Sequence, residues 1–155
     1  MADVPAGFSP LNLAMGFLEA NGPLYGKWID ERLLVGFRIE MRHCNPAKVA
    51  HGGMLATFAD MLLPLATRAQ SKADLGFLPT VSLACDFLAP APLGAWVEGR
   101  AESLTATRNL VFAQGMAMAD NTPCLRANGI FKIAPYGTTG SAEFLKSVFG
   151  VKTGT

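Results

Sequence analysis

Charge is scarce in this chain. Only 16% of the 155 residues are charged, and 13 Lys+Arg against 12 Asp+Glu leave a net charge of +1. A near-neutral chain has no electrostatic case for nucleic acid or an anionic membrane, and neither is expected as a partner. Cysteine is sparse too. Cys44, Cys85 and Cys124 stand far apart and form no disulfide or metal-ligand pattern. A cytoplasmic, reducing setting is the default expectation. No basic segment followed by a long apolar run opens the chain, so no secretory signal is read. The longest apolar stretch is broken by Asp60 and Pro64 and falls short of a membrane span. There is no internal repeat, charge block or long linker. The expectation is one domain over residues 1–155. What is abundant is apolar: 50% of the residues are hydrophobic. With so little charge to cover its surface, such a chain is expected to bury more of it in an oligomer.

In chain order, residues 1–10 carry two prolines and a glycine and read as an irregular lead-in. Asn12 is placed to cap a short helix through about Ala20, which Gly22 ends in a left-handed turn before Pro23. Leu33, Val35, Phe37, Ile39 and Met41 alternate with Leu34, Gly36, Arg38, Glu40 and Arg42, the period of a strand with one buried face. A preceding strand joins it through a turn at Asp30-Glu31. A long apolar helix follows, ending near Ala69 or Ser71, with Pro64 inside it. Strand patterns return at Thr80–Leu88, from Trp96, at Arg108–Ala119 and at Cys124–Ala134. Pro90 to Gly94 and Asp120 to Pro123 are turns. A short helix from Ser141 to Phe149, capped by Ser141, closes the chain. Consecutive antiparallel strands around one buried helix predict an α+β layer arrangement.

One stretch stands out, Asn45 to Asp60. It runs from a polar loop through His51-Gly52-Gly53 into the apolar helix. From Met54 to Ala66 the only polar side chains are Thr57 and Asp60. Such a helix should be buried nearly all round. An ionised carboxylate there is costly unless it is paired, hydrogen-bonded or used, so Asp60 is the residue to explain.

Asn45, the His51-Gly52-Gly53 turn, Asp60 nine residues after His51, and the Thr80–Gly94 strand and proline turn together resemble the motif of hotdog-fold thioesterases, nearest the phenylacetyl-CoA thioesterase-like (PaaI-type) branch. The resemblance spans roughly Trp28 to Pro135. It implies an antiparallel sheet wrapped around a long central helix. It also implies acyl-CoA thioester hydrolysis without a metal or organic cofactor, and a homodimer or homotetramer with active sites between subunits. A hotdog hydratase or dehydratase, or a non-catalytic acyl-CoA binder, is the alternative.

Thioester hydrolysis needs water at a carbonyl carbon and donors aimed at the oxygen that becomes negative. Asp60 can activate the water or attack directly. At the helix start the backbone N–H groups of Gly52 and Gly53 lack intrahelical partners and can bind an oxyanion. By the resemblance Gly52 is the first donor and Gly53 the second. Asp60 lies seven residues beyond Gly53, about 10 Å along the helix axis. One helix cannot bring both to one thioester, whereas two copies can. Asn45 can hold the water or the thioester, or simply close its loop in an Asx-turn. His51 supports the loop. Thr80 and Ser82, two apart on a strand, are expected to face one side, and either can hydrogen-bond the water or Asp60. Phe58, Met61, Leu62, Phe77 and Leu78 are expected to line the acyl pocket. Arg108, Arg126 and Lys132 are candidates to meet CoA phosphates at its mouth. Cys44 as a nucleophile and His43, His51 and the cysteines as a metal site lack an orienting third group or ligand spacing.

Overall fold

The helix that carries Asp60 is the axis of the fold. The computed structural model describes residues 3–13, 16–134 and 141–150, without the side chains of Ser141 and Ala142. Its strands are β1 (Ser9–Pro10), β2 (Tyr25–Ile29), β3 (Arg32–Arg38), β4 (Thr80–Phe87), β5 (Trp96–Ala106), β6 (Leu110–Ala119) and β7 (Thr122–Lys132). Its helices are α1 (Phe17–Asn21), α2 (Gly52–Gln70) and α3 (Ser141–Phe149). The strands form one seven-stranded antiparallel sheet in the order β1-β2-β3-β5-β6-β7-β4. This is the α+β hotdog arrangement, with the sheet curled around α2.

Size patterning explains why the sheet can wrap so closely. The face of β5–β7 toward α2 carries mostly small residues: Gly99 and Ala101, then Ala113, Gly115 and Ala117, then Ala127 and Gly129. A Cβ on Gly99 would stand 2.5 Å from Leu62 Cδ2, and one on Gly115 2.9 Å from Leu63 Cδ2. The helix therefore supplies the bulk of the core, through Phe58, Leu62 and Leu63 packed with Leu33, Val35 and Phe37. Gln70 ties the C-terminal end of α2 to the sheet. Its Oε1 accepts from Leu33 N–H at 2.9 Å, and its Nε2 donates to Ala101 O at 3.0 Å.

Several local expectations are corrected. Asn12 caps no helix; its N–H donates to Val148 O at 2.7 Å, and α1 starts only at Phe17. Gly22 ends α1 in an extended conformation, not a left-handed one. The lead-in is not wholly irregular, because Ser9 and Pro10 pair with Gly26 and Tyr25. Met41 leaves the alternation of β3 and sits exposed in a single 3-10 turn, Met41–His43. The turns at Asp30-Glu31 and Asp120-Asn121 are two-residue hairpin loops with both residues at positive φ. The helix predicted over Ser141–Phe149 is α3; the Ser141 side chain expected to cap it lies outside the described residues. The three cysteines are free, and no described helix is long and apolar enough to cross a membrane.

Candidate active site

The loop before α2 is held from both sides. His51 N–H donates to His43 O at 2.8 Å, Ala50 N–H to Ala91 O at 2.7 Å, and Leu93 N–H to Lys48 O at 2.9 Å. His43 is buried edge-on against Phe37, and its Nδ1 accepts from Glu40 N–H at 3.0 Å. Burial, helped by the neighbouring Arg42 charge, holds its pKa below the usual histidine value. Asn45 closes the loop tip, its Oδ1 accepting from Ala47 N–H at 3.0 Å and Val49 N–H at 3.4 Å. The Asx-turn is therefore formed, and the amide Nδ2 is the end of Asn45 left for other work. Cys44 Sγ donates to Glu40 O.

His51 is the N-cap of α2. Its Nδ1 accepts from Gly53 N–H at 2.8 Å. That corrects the expectation for Gly53, whose N–H is already engaged. Met54 and Leu55 N–H both donate to His51 O. Gly52, the first helical residue, keeps its N–H directed out of the helix start. The Phe87 ring lies over Gly52, 3.4 Å from where a Cβ would be.

Asp60 is half-buried, not enclosed. With Gly53, Ala56, Thr57, Met61 and Pro64 it forms a stripe along α2 that the sheet leaves partly open. The sheet covers only the opposite side of the helix, which is why the expectation of burial all round fails. Thr80 Oγ1 donates to Asp60 Oδ1 at 2.5 Å, a short charge-assisted bond. Thr80 and Ser82 do not face the same side. A bulge between them pairs Thr80 with Phe131 but Ser82 with Ile130. Thr80 therefore shares the inner face with Leu83 and Cys85, and Ser82 points outward. Burial, with the charges of Asp86 and Asp60, raises the Cys85 pKa, so this thiol near Asp60 stays protonated.

Asp60 and Thr80 open onto a cavity of about 250 Å³ that runs along α2, lined by Met61, Pro64, Leu65, Arg68, Phe77, Leu78 and Pro79, with Leu13 and Phe144. Of the residues expected to line an acyl pocket, Met61, Phe77 and Leu78 border this cavity. Phe58 and Leu62 do not: they are 0% and 1% exposed and fill the core. A separate hollow of about 320 Å³ lies at the helix start, lined by Gly52, Leu55, Phe87 and Leu88 among others. In one chain the Gly52 donor and the Asp60 carboxylate thus belong to different hollows. The basic candidates lie apart from both. Arg126 alternates with buried Leu125 and Ala127 and faces away from α2, paired with Asp86 at 2.7 Å. Lys132 is exposed on that same outer face, and Arg108 is exposed in the β5–β6 turn.

The sequence profile of the thioesterase superfamily matches residues 47–126, which includes α2, β4 and the loop before α2 except Asn45 and Pro46. The chain belongs to the thioesterase superfamily. A Pseudomonas aeruginosa protein provisionally named an esterase is 33% identical over 134 residues, covering 86% of this chain and 99% of that protein. The phenylacetic acid degradation protein PaaI of Thermus thermophilus, in a mutant form, superposes with a TM-score of 0.65 at 24% identity, over 76% of this chain and 98% of its own. A thioesterase-type protein of Streptococcus pneumoniae, solved with coenzyme A, gives 0.66 at 14% identity, over 75% of this chain and 89% of its own. Leu13 and Phe144 lie outside the stretch that matches the superfamily profile. Together with Pro64, Leu65, Arg68 and Pro79 they are cavity residues that sequence reasoning did not place there. Arg68 left a trace, as the one cation of α2, eight residues after its one carboxylate Asp60.

Proposed function

We propose that the protein is an acyl-CoA thioesterase whose active sites are each shared by two copies of the chain. The observation that carries this reading is the Asp60–Thr80 bond at 2.5 Å on the rim of an apolar cavity. Thr80 fixes the carboxylate in orientation, and the cavity takes the acyl group beside it. Asp60 aligns a water and takes its proton as the oxygen attacks the thioester carbon. The carbon–sulfur bond then breaks, and the thiolate leaves and is protonated to give free CoA and the acid. Direct attack by Asp60 through an anhydride reaches the same products.

The oxygen that becomes negative needs a donor, and Gly52 N–H at the positive end of α2 is suited to it. Gly52 lies eight residues before Asp60, about 12 Å along the axis. A second copy closes this gap by presenting its Gly52 end to the Asp60 cavity. The half-open stripe on α2 and the exposed Phe87 and Val81 beside it supply an apolar face for that contact. The Asn45 amide is free to donate to the water or the thioester. The CoA-bound Streptococcus pneumoniae relative supports the choice of CoA as the leaving group.

The test is thiol release from a panel of acyl-CoAs. Asp60→Asn should lower kcat by about a hundredfold or more. Thr80→Ala should lower it by about tenfold. Equal rates for Asp60→Asn and wild type would remove the carboxylate from the mechanism.

A further inference from the structure

The Asp60 cavity has an end. It follows α2 from Asp60 past Met61, Pro64 and Leu65 to Arg68. There the Phe144 ring lies against the guanidinium, 3.7 Å from Cζ to the ring centroid. Arg68 is 8% exposed, so this stack is a wall and not a solvated surface contact. Leu13 lines the same cavity from the N-terminal lead-in.

The wall is firmly attached. α3 is bonded to the lead-in by Asn12 N–H to Val148 O at 2.7 Å and by Asn12 Nδ2 to Ser147 O at 3.4 Å. Val148 is 1% exposed, and the Phe149 ring packs on Trp28 at 5.9 Å. The lead-in and α3 therefore converge on the far end of the cavity.

We propose that Arg68 and Phe144 set the upper limit of acyl length, so that the site takes short to medium acyl groups and excludes long ones. This rests on the thioesterase reading above. The span from Asp60 to Arg68 is eight residues, about 12 Å along the helix. An extended chain advances about 3.4 Å per three bonds, so about ten bonds fill that span. An acyl group of about six to eight carbons fits this length, and one of about fourteen carbons meets the stack.

The test compares non-hydrolysable S-hexyl-CoA and S-tetradecyl-CoA thioethers, below micelle-forming concentrations, for wild type, Phe144→Ala and Arg68→Met. Kd is read by calorimetry, with kcat/KM for the matching hexanoyl and tetradecanoyl thioesters beside it. The wild type should bind the hexyl compound as well as or better than the tetradecyl one. In both variants the ratio should move tenfold or more toward the long chain. Two variants are used because Phe144→Ala can also loosen α3, whereas Arg68→Met keeps the ring. Binding with an unchanged ratio in both variants would overturn the length limit alone. Failure of the wild type to bind either thioether would overturn the thioester reading and the limit with it.

Discussion

At the scale of single residues, the two histidines do different work although both hold the same loop. His43 is buried and uses Nδ1 to accept from Glu40 N–H. Its folded pKa is lowered, first by burial and then by Arg42. The folded state thus binds the proton less readily than the unfolded state. His43 contributes its full stability above the ordinary value of 6.5, and that contribution is lost as pH falls below it. Thermal unfolding followed between pH 7.5 and 5 should show Tm falling with acidity, and His43→Gln should flatten that part of the profile. His51, by contrast, is exposed and spends Nδ1 on Gly53 N–H. Asp60 was legible in the sequence because it is a lone carboxylate in an apolar helix. The engagement of Gly53 was not, since histidine is outside the usual capping set and the bond depends on its rotamer. Asn45 carried both readings by residue type, and only its two backbone bonds decide that the oxygen is occupied.

At the scale of elements, the helix and the sheet divide the core unequally. α2 contributes large side chains, and β5–β7 answer with glycine and alanine. Leu62 is the sharpest case, seated over Gly99 with no room for a Cβ between them. Leu62→Ala should cost about 2–5 kcal/mol of stability. Because Leu62 is in the core and not the cavity, acyl selectivity should stay unchanged; denaturant melts and a substrate panel check the two halves. Period and turn chemistry made the order of β2 to β7 and α2 legible. The small-residue face was not read from the sequence, because Gly99-Ala101, Ala113-Gly115-Ala117 and Ala127-Gly129 take on meaning only once α2 lies on them. Other features depend on tertiary context. The bulge that separates Thr80 from Ser82 is set by pairing with β7, not by local sequence. The two-residue strand at Ser9–Pro10 exists only because β2 offers it an edge.

At the scale of the whole molecule, one edge of the sheet carries exposed apolar side chains. β4 is the sheet edge, and along it Val81 is 60% and Phe87 55% exposed. Exposed apolar edges invite pairing with another chain. Beside this edge runs the open stripe of α2, and the two candidate halves of the chemistry lie in separate hollows. In the reading proposed above, a second copy placed against this side would cover the edge and bring a Gly52 donor to an Asp60 carboxylate in each of two symmetric sites.

Complementation between two inactive variants tests that claim most directly. Asp60→Asn removes the carboxylate. Gly52→Pro removes the donor and keeps the helix start, since proline is tolerated at the first helical position, with its ring packed against Phe87. The preceding His51, at φ −61° and ψ 138°, already has the backbone conformation that proline requires of its neighbour. Each variant alone should be nearly inactive. Co-expressed and randomly assorted, half the dimers are mixed and each mixed dimer has one intact site, so thiol release should return to about a quarter of wild type. Activity that stays at the average of the two separate variants would contradict a site shared between chains.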